Sequence, residues 1–461
     1  MVASLFAMPD PTPTYLIKNA RLVNEGRSYE ADVLLSGGRI ERIDDRISPK
    51  NNTVQIIEGG GKLLLPGVID SQVHFREPGL THKGDLSTES LAAVAGGVTS
   101  YIEQPNTVPA ATTLELLEAK FARAAEVSWA NYSFSLGASN SNIDELKRAS
   151  KRDVAAIKMF LGSSTGDLLV DDPAAVERIF REVDHQLIAH CEDEPTMRAN
   201  LERLIEERGG REHLTAADHP LIRSEEACYL SSSRAVALAR ETGAHFHVYH
   251  VSTGKELDLF DAEIPLAEKK ITAEACVHHL WFSDEDYAEL GNRIKWNPAI
   301  KTVADRDALR AALLDGRIDV VATDHAPHTL EEKQRMYVDA PSGGPLIQNS
   351  LPAMLELARR LDIDFARIVE LMCHQPAILF GIQERGFLRE GYHADLILVD
   401  PHRPYTVQAP ELFTKSQWSP FEGRTFAARV SQTWVNGLVV YRDGKPRNMP
   451  AGQRLVFDRG W

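Results

Sequence analysis

Five side chains that bind cations or move protons each close a short apolar run. His74 ends LLLPGVIDSQVH, Lys158 ends VAAIK, His190 ends HQLIAH, His250 ends AHFHVYH and Asp324 ends IDVVATD. A single histidine so placed is more often structural than a ligand; five such groups in successive units point to one shared centre. The densest stretch is PGVIDSQVHFREPG, residues 66–79. Read as a strand, it alternates faces with period two, so Asp70, Gln72 and His74 lie on one side. Arg76 follows, and Pro78-Gly79 ends the run. A metal centre is commonly marked here by a His-x-His pair, and Gln72 occupies the first of those two places. Zinc prefers nitrogen or sulfur donors, so the neutral amide makes Gln72 a doubtful ligand.

Lys158 is flanked by Ala155, Ala156, Ile157, Met159 and Phe160. A buried ammonium is unfavourable unless its pKa falls. A neutral amine takes up carbon dioxide to give a carbamate, an anionic oxygen ligand able to bridge two metals. Alone, Lys158 reads as an amine reaching water at a strand mouth; beside the histidines it reads as a carbamate. Asp324, in ATDHAPH, is suited both to ligate a metal and to shuttle a proton, because coordination lowers the pKa of water from about 15.7 toward about 7. His328, four residues on, is placed to reach a substrate group. His245 and His247 share strand parity with Tyr249 rather than His250, so an inward His250 sends them out toward the helices. His278 and His279 lie at another expected strand end, and neither is assigned as a ligand. The cysteines, 191, 228, 276 and 373, form no C-x-x-C pair and read as buried small residues in a reducing cytoplasm.

These side chains need strands that converge at one end. Between residues 66 and 387, apolar strands such as VTSYIEQPN, YSFSLGAS, ITAEACVHHL and IDVVATDHAPH alternate with helical patterns such as Leu86 to Ala95 and Leu114 to Ala130. That alternation predicts an α/β fold, a (β/α)8 TIM barrel, whose active sites gather at the strands' carboxyl ends. Residues 15–65 and 388–461 carry short alternating runs punctuated by glycine, the texture of a small antiparallel sheet. The two ends are expected to form one composite β-domain of sandwich type. Residues 1–14 have no basic start and read as disordered. The loops SSTG (163–166) and PSGGP (341–345) are candidates to cover the site.

The 461 residues are 43% hydrophobic and 25% charged, which places the chain among globular proteins. No apolar run approaches the roughly 18 residues that span a bilayer. A net charge of -15 argues against nucleic acid or an anionic membrane as partner. A cytoplasmic enzyme acting on a small molecule is expected, and an anionic substrate would have to be held by local cations.

With these motifs in place, the chain resembles the amidohydrolase superfamily and, within it, the dihydroorotases. The matching pieces are PGVIDSQVHFREPG, EQPNT (103–107), AAIKMF, LIAHCED, VYHVST, KWNPAI and ATDHAPH. The resemblance implies that His74 binds a first metal, that carboxylated Lys158 bridges to a second, and that His190 and His250 hold the second. It implies Asp324 as ligand of the first metal and general acid/base. Arg76, Asn106 and His328 would grip the substrate carboxylate, and Asn297 would contact the ring. The implied cofactor is Zn2+, one or two per chain, the first held more loosely because of Gln72. The implied reaction is reversible cyclisation of N-carbamoyl-L-aspartate to L-dihydroorotate and water, in pyrimidine biosynthesis. A hydantoinase or allantoinase activity, or an inactive scaffold for a carbamoyltransferase, stays open at this point, as does a homodimer. The PSGGPLIQN segment departs from the family's substrate loop.

Overall fold

The computed structural model describes residues 13–49, 51–163, 168–447 and 449–461. Most of the segment expected to be disordered, and the SSTG loop after Ser163, lie outside the described residues.

Eight parallel strand positions form the barrel: β6 (Val68–Val73), β7 (Val98–Glu103), β8 with its short continuation β9 (Asn131–Phe134, Leu136–Gly137), β10 (Ile157–Phe160), β11 (Leu187–His190), β12 (Phe246–Val248), β13 (Ile271–Cys276) and β14 (Val320–Ala322). Nearly every residue in them is buried, as expected of parallel strands covered on both faces. The barrel closes where Val73 bridges His325 in parallel and the His74 N–H donates to the His325 carbonyl at 2.7 Å. The returning helices are capped by their own sequence. Asp85 and Thr88 cap Leu86–Ala95 reciprocally, and Asp193 accepts from the Thr196 N–H to start Glu194–Arg208 immediately after LIAHCE. One expectation fails here: the apolar run ITAEACVHHL is not all strand. It turns at Cys276 into a short helix, Val277–Trp281, that carries His278 and His279.

The barrel end opposite the candidate site is plugged. Ile69, Ile102, Ile188, Tyr249 and Val320 pack there against Phe380, Leu455 and Phe457. The last two come from the chain's end. The expected 388–461 boundary therefore runs too far, because past Gly452 the tail leaves the β-domain for the barrel. Arg454 bridges Tyr132, Phe457 bridges Ile382, and Trp461 stacks on His245 at 3.7 Å. The gain is burial of two large apolar side chains where the barrel would otherwise be open to water.

Strands from both chain ends form one sheet: β1 (Tyr15–Asn24), β2 (Arg27–Ser36), β3 (Arg39–Asp44), β4 (Gln55–Glu58), β5 (Leu63–Pro66), β15 (Leu396–Asp400), β18 (Arg429–Val435), β19 (Leu438–Arg442) and β20 (Lys445–Pro446), with the ribbon β16–β17 (Tyr405–Thr406, Thr425–Phe426) separate. The two halves join where β5 pairs antiparallel with β15, Leu64 opposite Leu398. The sheet is not wholly antiparallel, since β1 pairs β4 and β5 in parallel. It curls over its own core: Tyr15 and Trp434 meet edge to face at 6.3 Å although β5 and β15 lie between their strands.

Gly67 sits where the chain steps from sheet to barrel. A Cβ built there would lie 1.9 Å from Thr99 Oγ1 and 2.6 Å from its Cγ2. Gly67→Ala is expected to destabilise the protein by about 1–3 kcal/mol through overpacking. Adding Thr99→Gly should recover most of the loss in a urea-unfolding midpoint; equal midpoints for Gly67→Ala and the parent would contradict this steric account.

Candidate functional site

A cavity of about 130 Å³ opens at the carboxyl ends of the barrel strands. It holds a few waters' worth of volume at roughly 30 Å³ each, room for a small polar heterocycle and not for a polymer. Gln72, His74, Arg76, Asn106, Lys158, His190, His250, Asn297 and Asp324 line it, together with Phe160, Ser163, Trp296 and Ser342. Nine of the ten side chains singled out from sequence thus share one wall-to-wall cavity. The exception is His328, which stands behind Arg76. Larger clefts, near 990 and 1160 Å³, open elsewhere and gather none of these groups.

Strand parity does not deliver all of them. Arg76, His250 and Asp324 have φ of 72°, 39° and 47°. Each lies beyond the last strand residue, at Val73, Val248 and Ala322. Left-handed backbone at a non-glycine residue costs of order 1–3 kcal/mol and clusters at functional sites. It breaks the alternation and turns these side chains into the cavity. The parity argument for His247 therefore fails. His247 is fully buried among interior groups, with Thr272 Oγ1 at 2.8 Å and Glu274 Oε2 at 3.3 Å. Tyr249 also faces inward and donates to the Ser71 carbonyl at 2.8 Å.

Hydrogen bonds fix which nitrogens are available. His190 Nε2 donates to Glu192 Oε2 at 2.8 Å, leaving the Nδ1 lone pair facing His250 Nε2 at 3.0 Å. His250 Nδ1 is buried without a hydrogen-bond partner. Lys158 joins them, its amine over the Tyr249 ring at 4.1 Å and the Phe160 ring at 4.8 Å. Burial pulls the Lys158 pKa down to about 7 and holds both imidazoles below their usual range. Two uncharged imidazoles and an amine that loses its proton near pH 7, lining one cavity, are a donor set that fits a borderline divalent cation.

Asp324 is shared differently. His74 Nδ1 donates to Asn106 Oδ1 at 2.7 Å, so Nε2 turns its lone pair to Asp324 Oδ1 at 3.0 Å. Two acceptors so close need a proton or a cation between them. Gln72 also faces that oxygen, with its amide nitrogen at 3.3 Å. The NH2 group has no lone pair for a metal, so Gln72 acts here as a donor to Asp324. Its Oε1 points away, to Cys276 Sγ at 3.8 Å.

Arg76 anchors the opposite wall. Nε donates to the Pro327 carbonyl at 3.0 Å, and burial lowers its pKa only to about 10, so it stays cationic at neutral pH. Lys83, which nothing in the sequence pattern marks, donates to His328 Nδ1 at 3.0 Å. The His328 proton is thereby on Nε2, where the Ser342 carbonyl accepts at 2.9 Å beside Arg76 Nη2 at 3.0 Å. His328 is therefore held by Lys83 and the Ser342 carbonyl, stands beside Arg76 and does not face the cavity. Ser342 and Gly343 do line it, so the PSGGP loop contributes to the wall. Glu192 was legible only as the third residue of HCED in LIAHCED: it is fully buried and ion-paired with Arg223, which also reaches Ser163. Burial alone would raise its pKa, but Arg223 and His190 outweigh that and hold it well below the usual carboxylate range.

A parallel (β/α)8 barrel with basic nitrogens, a carboxylate and an arginine around one small cavity defines a hydrolase of the metal-dependent barrel class. The chain belongs to the amidohydrolase family, whose model matches residues 63–440. It is 34% identical to a dihydroorotase of Methanosarcina mazei over 97% of this chain and 98% of that protein. It is 31% identical to an allantoinase of Bacillus velezensis over 93% of this chain and 94% of that one. The L-hydantoinase of Arthrobacter aurescens superposes with a TM-score of 0.89 at 26% identity, covering 96% of this chain and 99% of that one. No described helix is long and apolar enough to cross a membrane.

Lys158 yields a pH signature. Its folded pKa of about 7 lies below the ordinary 10.5, so between those values the unfolded chain binds more protons and stability rises with pH. In metal-free protein, Lys158→Met should exceed the parent in stability most at pH 7 and below. The gap should narrow toward about pH 10. Parallel stability curves across that range would rule out a buried, deprotonating amine.

Proposed function

We propose that the protein is a dihydroorotase, interconverting N-carbamoyl-L-aspartate and L-dihydroorotate plus water as a step of pyrimidine biosynthesis. The observation that carries this is Arg76: a buried guanidinium, anchored on the Pro327 carbonyl, in the same cavity as Lys158, His190, His250 and Asp324. A planar guanidinium matches a carboxylate in paired hydrogen bonds. Dihydroorotate carries such a group on its ring; hydantoin does not, and would leave Arg76 without a partner.

In this reading Lys158, as its carbamate, His190 and His250 would hold a zinc ion in the cavity that Asp324 also lines. When bound, the ion supplies Lewis acidity, acidifying water and polarising an amide carbonyl. Arg76 and Asn106 orient the substrate carboxylate. The buried, unpartnered Asn297 Oδ1 is free to accept from a ring N–H. Asp324, held by the Gln72 amide N–H, takes the proton of the attacking water and passes it to the leaving ring nitrogen as the amide opens. In cyclisation the same carboxylate works in reverse. With Gln72 presenting a donor to Asp324 where a ligand would stand, His74 would offer a second ion a weaker set of donors.

Ring opening of dihydroorotate with added zinc is the direct test. Arg76→Gln is expected to lower kcat/KM at least about 100-fold, near 2.7 kcal/mol at 1.36 kcal/mol per decade. Faster turnover of hydantoin or allantoin than of dihydroorotate, insensitive to Arg76→Gln, would overturn the assignment. Glu192→Gln should weaken metal retention about 10–100-fold, since the carboxylate orients His190. Metal content after dialysis against a chelator reads this apart from activity.

A further inference from the structure

We propose a second metal site, separate from the cavity, formed by Cys276, His278 and His279 and suited to a thiophilic ion of the zinc class. One donor atom from each of the three lies within 4.8 Å of the others, and all three side chains are buried. The turn of the chain from strand to helix at Cys276 brings them together, which a continuous strand would not do. None of them lines the cavity.

Unmet hydrogen-bonding capacity points to a ligand here. Nδ1 of His279 and at least one ring nitrogen of His278 have no hydrogen-bond partner among the described residues; the Thr323 backbone lies beside the His278 ring. Buried polar atoms are nearly always paired, and each exception asks for an explanation. His279 Nε2 donates to the Pro298 carbonyl at 3.1 Å. That bond fixes the tautomer with the Nδ1 lone pair free, the arrangement in which metal-binding histidines are held by a carbonyl behind them. His278 is braced face to face on Trp296 at 4.5 Å, so its ring plane is set before any ion arrives.

A fourth donor is at hand. Gln72 Oε1 lies 3.8 Å from Cys276 Sγ. The residue that presents its NH2 to Asp324 therefore presents its carbonyl oxygen to this cluster. Two imidazoles, a thiol and an amide oxygen form an N2SO set, within zinc's ordinary range. Binding releases the thiol proton to solvent, leaving a thiolate on the metal.

The test uses the full chain, stripped of metal with a chelator and titrated with Co2+ while absorbance is read. A thiolate-to-cobalt charge-transfer band should grow to saturation in the parent, vanish in Cys276→Ser and persist in His190→Ala, which removes a donor of the cavity. His279→Gln, which keeps the thiol, should weaken Co2+ affinity by at least about tenfold in the same band, the scale of a lost ligand contact. It provides the decision if Cys276→Ser does not fold. No band in the parent, a band surviving in Cys276→Ser, or unchanged affinity in His279→Gln would each overturn the proposal. The band reports sulfur ligation alone, so it stands or falls independently of the reaction assigned to the cavity.

Discussion

Forced burial of basic nitrogen is the constraint on which the site rests. Lys158, His190 and His250 project from neighbouring strands into a space from which water is largely removed. Desolvation disfavours their charged forms more than any nearby carboxylate restores them, so the two imidazoles stay neutral and the lysine amine gives up its proton near pH 7. A protein surface offers the same residue types as cations. Only the enclosed barrel mouth converts them into a set of lone pairs.

The barrel in turn depends on its closure. β6 and β14 meet through His325, and the Asp70 carboxylate accepts from the Thr323 N–H and hydroxyl at 3.2 and 2.6 Å just below the site. Burial raises the Asp70 pKa to about 7. His325 is itself held by Glu89, which also accepts from Thr414 of the segment leading back to the β-domain. One buried network thus joins the first strand, the last strand, the first barrel helix and the loop between β16 and β17. The position of Asp324, the residue before His325, follows from that network.

Gln72 links the two halves of the functional picture. A histidine there would offer one more lone pair to the Asp324 side. The amide instead donates to Asp324 and turns its oxygen toward Cys276. A single substitution of side-chain chemistry therefore redistributes donors and acceptors between the cavity and the cluster at the start of helix Val277–Trp281. Lys83 and Ser342 similarly decide the state of His328 beside Arg76.

The residue types, the apolar runs that precede them and the strand–helix alternation were readable in the chain, because period and composition are local properties. So were the barrel, the joining of both ends in one sheet, and the list of side chains at the strand mouths. What only the folded structure decided depends on distant partners. Left-handed backbone at Arg76, His250 and Asp324 overrides strand parity, so alternation misplaced His247. The tail's apolar side chains left the sheet because an open barrel end offered more burial. The role of His328 and the pairing of Gln72 were set by neighbours hundreds of residues away. A pattern along the chain specifies which groups are present and how each local segment runs; which atom faces which is settled by competition for buried hydrogen-bond partners, and that exists only once the barrel has closed.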